Sequence, residues 1–234
     1  MSSFQDFGLR PEILKAISTL GFETPTEIQS ETIPFILESD KDLIALAQTG
    51  TGKTAGFGLP ILNKIDPQLK GIQAMILSPT RELCMQISKD LSAYAKDIPG
   101  FKIVPVYGGA SIQPQISELR RGVQIVVGTP GRTLDLIKRR ILKVDTIQWL
   151  VLDEADEMLS MGFKDDMDEI LADTPPTKQT LLFSATMPAA IKGMASKYMT
   201  EPKEISVGKR NAGAENVTHE YYVVQSRDRY SALK

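Results

Sequence analysis

The chain has 234 residues, 42% of them hydrophobic and 24% charged, with a net charge of −2 from 27 Lys+Arg against 29 Asp+Glu. This describes one large globular domain with short extensions and excludes a low-complexity chain; the near-neutral balance means that any nucleic-acid binding must come from local groups. One cysteine, Cys84, excludes an internal disulfide and suits a reducing, cytoplasmic setting, and no apolar run approaches a membrane span or a signal peptide, so no membrane partner is expected.

Two helical segments come first. Pro11–Leu20 opens on a proline, which a first helical turn tolerates, and stops before Gly21. Thr26–Leu37 begins on a residue able to cap it. Short apolar runs rich in β-branched residues then recur: LIALA (43–47), AMILS (74–78), KIVPV (102–106), QIVVG (124–128), WLVLD (149–153) and TLLFS (180–184). Most are continuous rather than alternating, the pattern of strands covered on both faces. Amphipathic segments lie between them, at Gly52–Ile65, Arg81–Tyr94, Arg132–Arg139 and Lys164–Ala172. Cys84 falls in one of these and reads as a small buried apolar residue. Strand–helix alternation predicts an α/β fold, a predominantly parallel sheet with helices on both faces. Ligands in such sheets bind at the C-terminal strand ends, so the chemistry is expected there. After ISV (205–207) the composition turns polar; GKRNAGAEN (208–216) reads as a linker and HEYYVVQ (219–225) as a candidate strand.

The segment Ala47-Gln-Thr-Gly-Thr-Gly-Lys-Thr54 joins a predicted strand to a predicted helix, the context that the phosphate-loop pattern requires. Its glycines let backbone N–H groups turn toward phosphate oxygens, and the helix N-terminus adds free donors. Gln48, Thr49, Gly50, Thr51 and Gly52 form the cradle, Lys53 reaches the β/γ-phosphates, and the Thr54 hydroxyl sits on Mg²⁺. Asp153 ends the apolar run WLVLD and supplies a second metal-orienting group, through water. Glu154 follows with a different projection, able to orient or deprotonate an attacking water, and Asp156 lies near enough to hold neighbouring groups. Taken alone, these acids read better as a helix cap; it is beside the phosphate loop that the metal reading prevails.

Upstream, Gly21-Phe-Glu-Thr-Pro-Thr-Glu-Ile-Gln29 contains a Gln that can donate to N7 and accept from N6 of adenine, whereas guanine presents two acceptors there. Phe4 is an aromatic able to stack on the base. A capped surface helix with a solvated Gln is the competing reading.

Together these residues resemble the DEAD-box RNA helicase family, in its bacterial branch. Asp153-Glu154-Ala155-Asp156 is the family's namesake motif; GFETPTEIQ is similar to its adenine-recognising Q motif, with Phe4 as the upstream aromatic; and AQTGTGKT is similar to its motif I, where Ala47 is usual. Pro79-Thr-Arg-Glu-Leu83, Gly108-Gly109, Thr129-Pro-Gly-Arg132 and Ser184-Ala-Thr186 follow in the family's order. The resemblance implies a RecA-like P-loop fold, ATP with Mg²⁺, and RNA as substrate. It places Phe22 and Thr24 beside Gln29 at the adenine. It also assigns Pro79, Thr80, Arg81, Gly108, Gly109, Thr129, Pro130, Gly131 and Arg132 to the RNA backbone, and Asp156, Ser184, Ala185 and Thr186 to coupling. Arg81 and Arg132 can pair with phosphate, a grip that carries little sequence information.

The family works with two RecA-like domains. On this resemblance residues 1–207 form the N-terminal one, with a Q-motif extension over about 1–38, and 208–234 form the linker and the start of a second domain. A chain lacking that domain is expected to bind adenine nucleotides weakly and to hydrolyse ATP negligibly. Two other readings stand beside this one: a scaffold for RNA or protein partners in which nucleotide is incidental, and a P-loop motor acting on DNA.

Overall fold

A computed structural model describes residues 3–207 and 223–225. After a 3₁₀ turn at Phe4–Phe7 come helices α1 (Pro11–Thr19) and α2 (Glu27–Glu38). Strand and helix then alternate: β1 (Leu43–Leu46), α3 (Lys53–Lys64), β2 (Ala74–Leu77), α4 (Arg81–Tyr94), β3 (Ile103–Val106), α5 (Ile112–Leu119), β4 (Ile125–Gly128) and α6 (Pro130–Lys138). The order closes with β5 (Trp149–Asp153), α7 (Ala155–Ser160), α8 (Lys164–Asp173), β6 (Gln179–Ser184), α9 (Ala189–Tyr198) and β7 (Lys203–Ser206).

The seven strands form one sheet in the order β3-β4-β2-β5-β6-β1-β7, every pairing parallel. The apolar runs are continuous because both faces are covered. Along β1, Leu43 and Ala45 enter one core with α1–α4, while Ile44 and Leu46 enter the other with α5–α9. Each fully buried Ile or Leu in these layers contributes roughly 1.5–3 kcal/mol of transfer free energy. Phe57 of α3 packs on Phe183 of β6 with ring centroids 5.2 Å apart. Cys84 lies in the first core, and burial pushes its thiol up to about 12, so it is unreactive packing.

The parallel α/β sheet expected from sequence is present, with added elements and shifted boundaries. Helix α6 starts at Pro130, because Thr129 takes the N-cap position and proline fits the first turn. Helix α3 starts at Lys53, with Gly52 as a left-handed N-cap. The additions are α5, α7, α9 and β7. Strand β7 buries only Ile205, and α7 has six residues, so neither produces a strong periodic signal. The 208–216 linker lies outside the described residues, as do 219–222 of the candidate strand; Val223–Gln225 belong to no regular element. Among the described residues no helix is long and apolar enough to cross a membrane.

Candidate functional site

The strand order divides the motif segments. The phosphate loop, the Ser184–Thr186 segment and the acidic segment follow β1, β6 and β5, which are adjacent; those assigned to RNA follow β2, β4 and β3, the other side of the sheet. All leave the same C-terminal edge.

The phosphate loop runs from β1 into α3. Gly50 (φ +78°) and Gly52 (φ +91°) adopt left-handed conformations, and a β-carbon on Gly52 would collide with the Gln29 amide nitrogen. The loop is tied to β6 by Ala47 N–H donating to the Ser184 carbonyl at 3.0 Å, and internally by the Thr51 hydroxyl donating to the Gln48 carbonyl at 2.8 Å. Lys53 is 6% exposed; its ammonium donates to the Ala47 carbonyl at 3.2 Å and attracts Asp153. Thr54 is half-buried on the first turn of α3.

Asp153 ends β5 and is 3% exposed. Burial raises its pKa to about 6, with the charges of Glu154 and Asp156 adding to the effect and Lys53 and the Glu154 N–H (3.1 Å to Oδ1) opposing it. A buried, perturbed carboxylate beside a buried lysine is the electrostatic signature of a site that binds charge. Glu154 takes φ +53°, a left-handed conformation that turns the chain from β5 into α7 and separates its direction from that of Asp153.

Ser184 and Thr186, assigned to coupling, have hydroxyls able to bond either neighbouring carboxylate, Asp153 or Asp156. The structure places that contact on Asp156 only: Thr186 donates to Oδ2 from its backbone N–H (2.9 Å) and its hydroxyl (2.7 Å). Burial pulls the Asp156 pKa upward, but these bonds, with a contribution from Ser184, hold it below the ordinary value. The Ser184 hydroxyl itself donates to the Thr186 carbonyl at 2.7 Å, closing a small turn that includes the exposed Ala185.

Gln29 is 4% exposed on the first turn of α2. Its Oε1 accepts from Thr26 N–H at 3.0 Å and its Nε2 donates to the Gly52 carbonyl at 3.1 Å. The Thr26 hydroxyl donates to the Thr51 carbonyl at 2.9 Å, while Thr26 caps α2 in a capping box with Gln29. This segment is therefore bonded directly to the phosphate loop, and Thr26 is a contributor that motif reading did not single out. Phe22 is half-buried and Thr24 exposed. Phe4 departs from the expected stacking face: it is 2% exposed, with Phe7 and Phe22 edge-on at 6.0 and 5.9 Å, and acts here as a wall of the core.

On the other side of the sheet, buried Pro79 precedes Thr80, whose hydroxyl accepts from Leu83 N–H at 3.2 Å and caps α4. Arg81 is exposed, with its guanidinium 4.9 Å from the Tyr107 ring centroid. Tyr107 had gone unnoticed; its place immediately before Gly108-Gly109 was the available signal. Gly108 and Gly109 are exposed, and Gly108 N–H donates to the Thr129 hydroxyl at 3.4 Å, joining the β3 and β4 ends. Pro130 and Gly131 open α6. Arg132 donates through Nη2 to the Ala110 carbonyl at 3.0 Å, while its Nη1 is buried and has no hydrogen-bond partner among the described residues. An arginine anchored on one side with an unused donor on the other is suited to an anionic oxygen.

The donor set fits magnesium held with phosphate. Among the described residues there is no cluster of three or more His, Cys, Asp or Glu, which a dedicated protein cage would need. One carboxylate and one hydroxyl, with phosphate and water completing the shell, is the ordinary arrangement for this ion.

Comparison with known proteins agrees with this geometry. The family model "DEAD/DEAH box helicase" matches residues 26–194. The chain is 48% identical over 231 residues to the DEAD-box ATP-dependent RNA helicase CshA of Bacillus subtilis, covering 99% of this chain and 46% of that protein. It is 50% identical over 223 residues to the RNA helicase CrhR of Synechocystis, covering 95% of this chain and 45% of that protein. The chain thus spans about half the length of these relatives. The crystal structure of a DEAD box protein from the hyperthermophile Methanococcus jannaschii superposes with a TM-score of 0.85 at 42% identity, covering 99% of this chain and 62% of that one. The seven-stranded parallel sheet is thus the RecA-like sheet of these proteins, and with the family model matched over most of its length the chain belongs to the DEAD/DEAH box helicase family.

Proposed function

We propose that this chain is the ATP-binding half of a cytoplasmic RNA-dependent ATPase that opens short RNA duplexes when a second RecA-like domain closes on its C-terminal sheet edge. The observation that carries the reading is the buried Lys53–Asp153 pair beneath a glycine-shaped phosphate loop. Residues 1–207 are then the N-terminal domain, with a Q-motif extension over about 1–38, and 208–234 lead toward the second.

In this reading Lys53 leaves the Ala47 carbonyl for the β/γ-phosphates, and Thr54 and, through water, Asp153 would hold Mg²⁺, which would neutralise phosphate charge when bound. Glu154 orients the attacking water and takes its proton. Gln29 reads adenine without surrendering its protein bonds, since a primary amide has a second N–H and a second lone pair. Arg81, Arg132, the Gly108-Gly109 N–H groups and Thr129 grip RNA phosphates, so recognition is independent of base sequence. The Asp156–Thr186 bonds join the β5 and β6 ends and relay nucleotide state between strands. An arginine from the opposing domain contributes ~10³–10⁵ in rate, so turnover without such a domain is negligible.

The test is nucleotide affinity and RNA-stimulated phosphate release, with and without a second RecA-like domain attached. ATP is expected to bind in preference to GTP, Lys53→Ala to abolish binding, and turnover to require the second domain. Equal ATP and GTP affinity, or full turnover by this chain alone, overturns the proposal. RNA affinity unchanged in Lys53→Ala supports the scaffold reading instead.

A further inference from the structure

At the opposite, N-terminal edge of the sheet four loops lead into the strands, at 65–73, 95–102, 120–124 and 139–148. Buried side chains fix their positions. Gln73, 4% exposed, accepts from Asp66 N–H (3.1 Å) and donates to the Asp66 carbonyl (2.7 Å). Gln124, 7% exposed, accepts from Lys102 N–H (2.9 Å) and donates to the Pro67 carbonyl (3.2 Å). The Thr146 hydroxyl donates to the Ile72 carbonyl at 2.9 Å. Between these loops lies a cleft of about 390 Å³, and a second of about 320 Å³ that shares Lys70, Gly71 and Gly122 with it. The two form one groove across the starts of β3, β4 and β2.

The groove is basic in a chain whose net charge is −2. Lys70, Lys102, Arg120, Arg121 and Lys143 line it, all exposed, and Asp145 is the one acid among the lining residues. Arg121 pairs with exposed Glu118, and the Lys102 ammonium donates to the Arg121 carbonyl at 3.0 Å. Lys70, Arg120 and Lys143 have no ion pair among the described residues. The compensating acids gather elsewhere, five of them on α8. No aromatic side chain lines the groove, which leaves nothing for bases to stack on.

We propose that this groove is a second binding surface for the sugar-phosphate backbone of single-stranded RNA, gripping phosphates without reading sequence. Positive groups spread along a groove with fixed walls match a repeating anion. Four-residue strands at ~3.3 Å per residue separate it by more than ~13 Å from the motif edge, so it is a surface apart from Arg81 and Arg132. The inference extends the RNA reading above to residues no motif touches, and the two stand or fall separately.

The test is fluorescence anisotropy of a labelled uridine oligonucleotide of about 20 residues, titrated between ~50 and ~200 mM KCl. Lys70→Gln/Arg120→Gln/Lys143→Gln is expected to weaken binding about tenfold and to lower the log–log salt slope by about 2, near 0.7 per phosphate contact. ATP affinity and melting temperature stay at the native values, and Lys70→Arg/Arg120→Lys/Lys143→Arg retains binding. Native affinity and slope in the glutamine variant overturn the proposal, including where that variant instead loses an acidic protein partner. The motif variant Arg81→Gln/Arg132→Gln separates the readings. Loss there alone supports the motif contacts and overturns the groove; loss in the groove variant alone supports the groove and counts against the motif contacts. Photocrosslinking of 4-thiouridine RNA to the native chain is independent of mutant folding: adducts on 67–71 and 120–124 are expected, and adducts confined to the motif edge overturn the proposal.

Discussion

Gln29 holds two structures together, and the charge on its replacement separates its two duties. Its amide accepts from Thr26 N–H and donates to the Gly52 carbonyl, inside the fold at 4% exposure. Gln29→Ala removes both bonds, at ~0.5–1.5 kcal/mol each, and leaves a small cavity, so a loss of about 2–3 kcal/mol is expected. Gln29→Glu keeps the acceptor for Thr26 N–H and places negative charge at the N-terminus of α2, which is favourable. Its other oxygen faces the Gly52 carbonyl and the phosphate position, which is not. Stability is therefore expected to fall in the order native, Glu, Ala, with the Glu variant about 1 kcal/mol below native. ADP affinity is expected to fall in the order native, Ala, Glu, and both variants lose the preference for ADP over GDP. Urea denaturation and nucleotide competition measure the two series on the same proteins. Matching orders in the two series refute the reasoning, because they make Gln29 a packing residue whose effect on nucleotide is only the effect of destabilisation.

Asp153→Asn is expected to stabilise the chain in magnesium-free buffer with chelator. A folded-state pKa of about 6 against an ordinary 3.8 means that the folded state binds the extra proton, so its stability falls as pH rises through that window. The penalty is fully present above pH ~6 and reaches at most ~3 kcal/mol, a net figure in which the attraction to Lys53 is already included. The variant's advantage in urea midpoint should therefore open between pH ~4 and ~7, and a gap independent of pH contradicts this. Gly52→Ala forces a side chain into a left-handed conformation and against Gln29; a loss of ~1–2 kcal/mol and of nucleotide binding is expected, checked by melting and ADP titration. Thr186→Val keeps the backbone bond to Asp156 but deletes the hydroxyl bond, so ADP affinity should hold while RNA-stimulated turnover of a two-domain protein falls; unchanged turnover removes Thr186 from the coupling path.

Much of the site was legible because its parts are local. A phosphate loop needs glycines, lysine and a hydroxyl in one short segment between strand and helix, and continuous apolar runs announce a sheet covered on both faces. The short helix α7 and the edge strand β7 escaped because six residues, or one buried residue in four, give no period to detect.

By itself, then, the sequence determined the α/β class, the candidate phosphate loop and acidic segment, and the family they resemble. What it left open are distances between segments far apart in the chain, which follow from strand order. Parallel pairing sets β5 beside β6, so Thr186 meets Asp156 rather than Asp153, and packing turns Phe4 inward as a wall. The basic groove likewise exists only in the tertiary structure: Lys70, Arg120 and Lys143 stand far apart along the chain, and become one surface because β2 and β4 are neighbours.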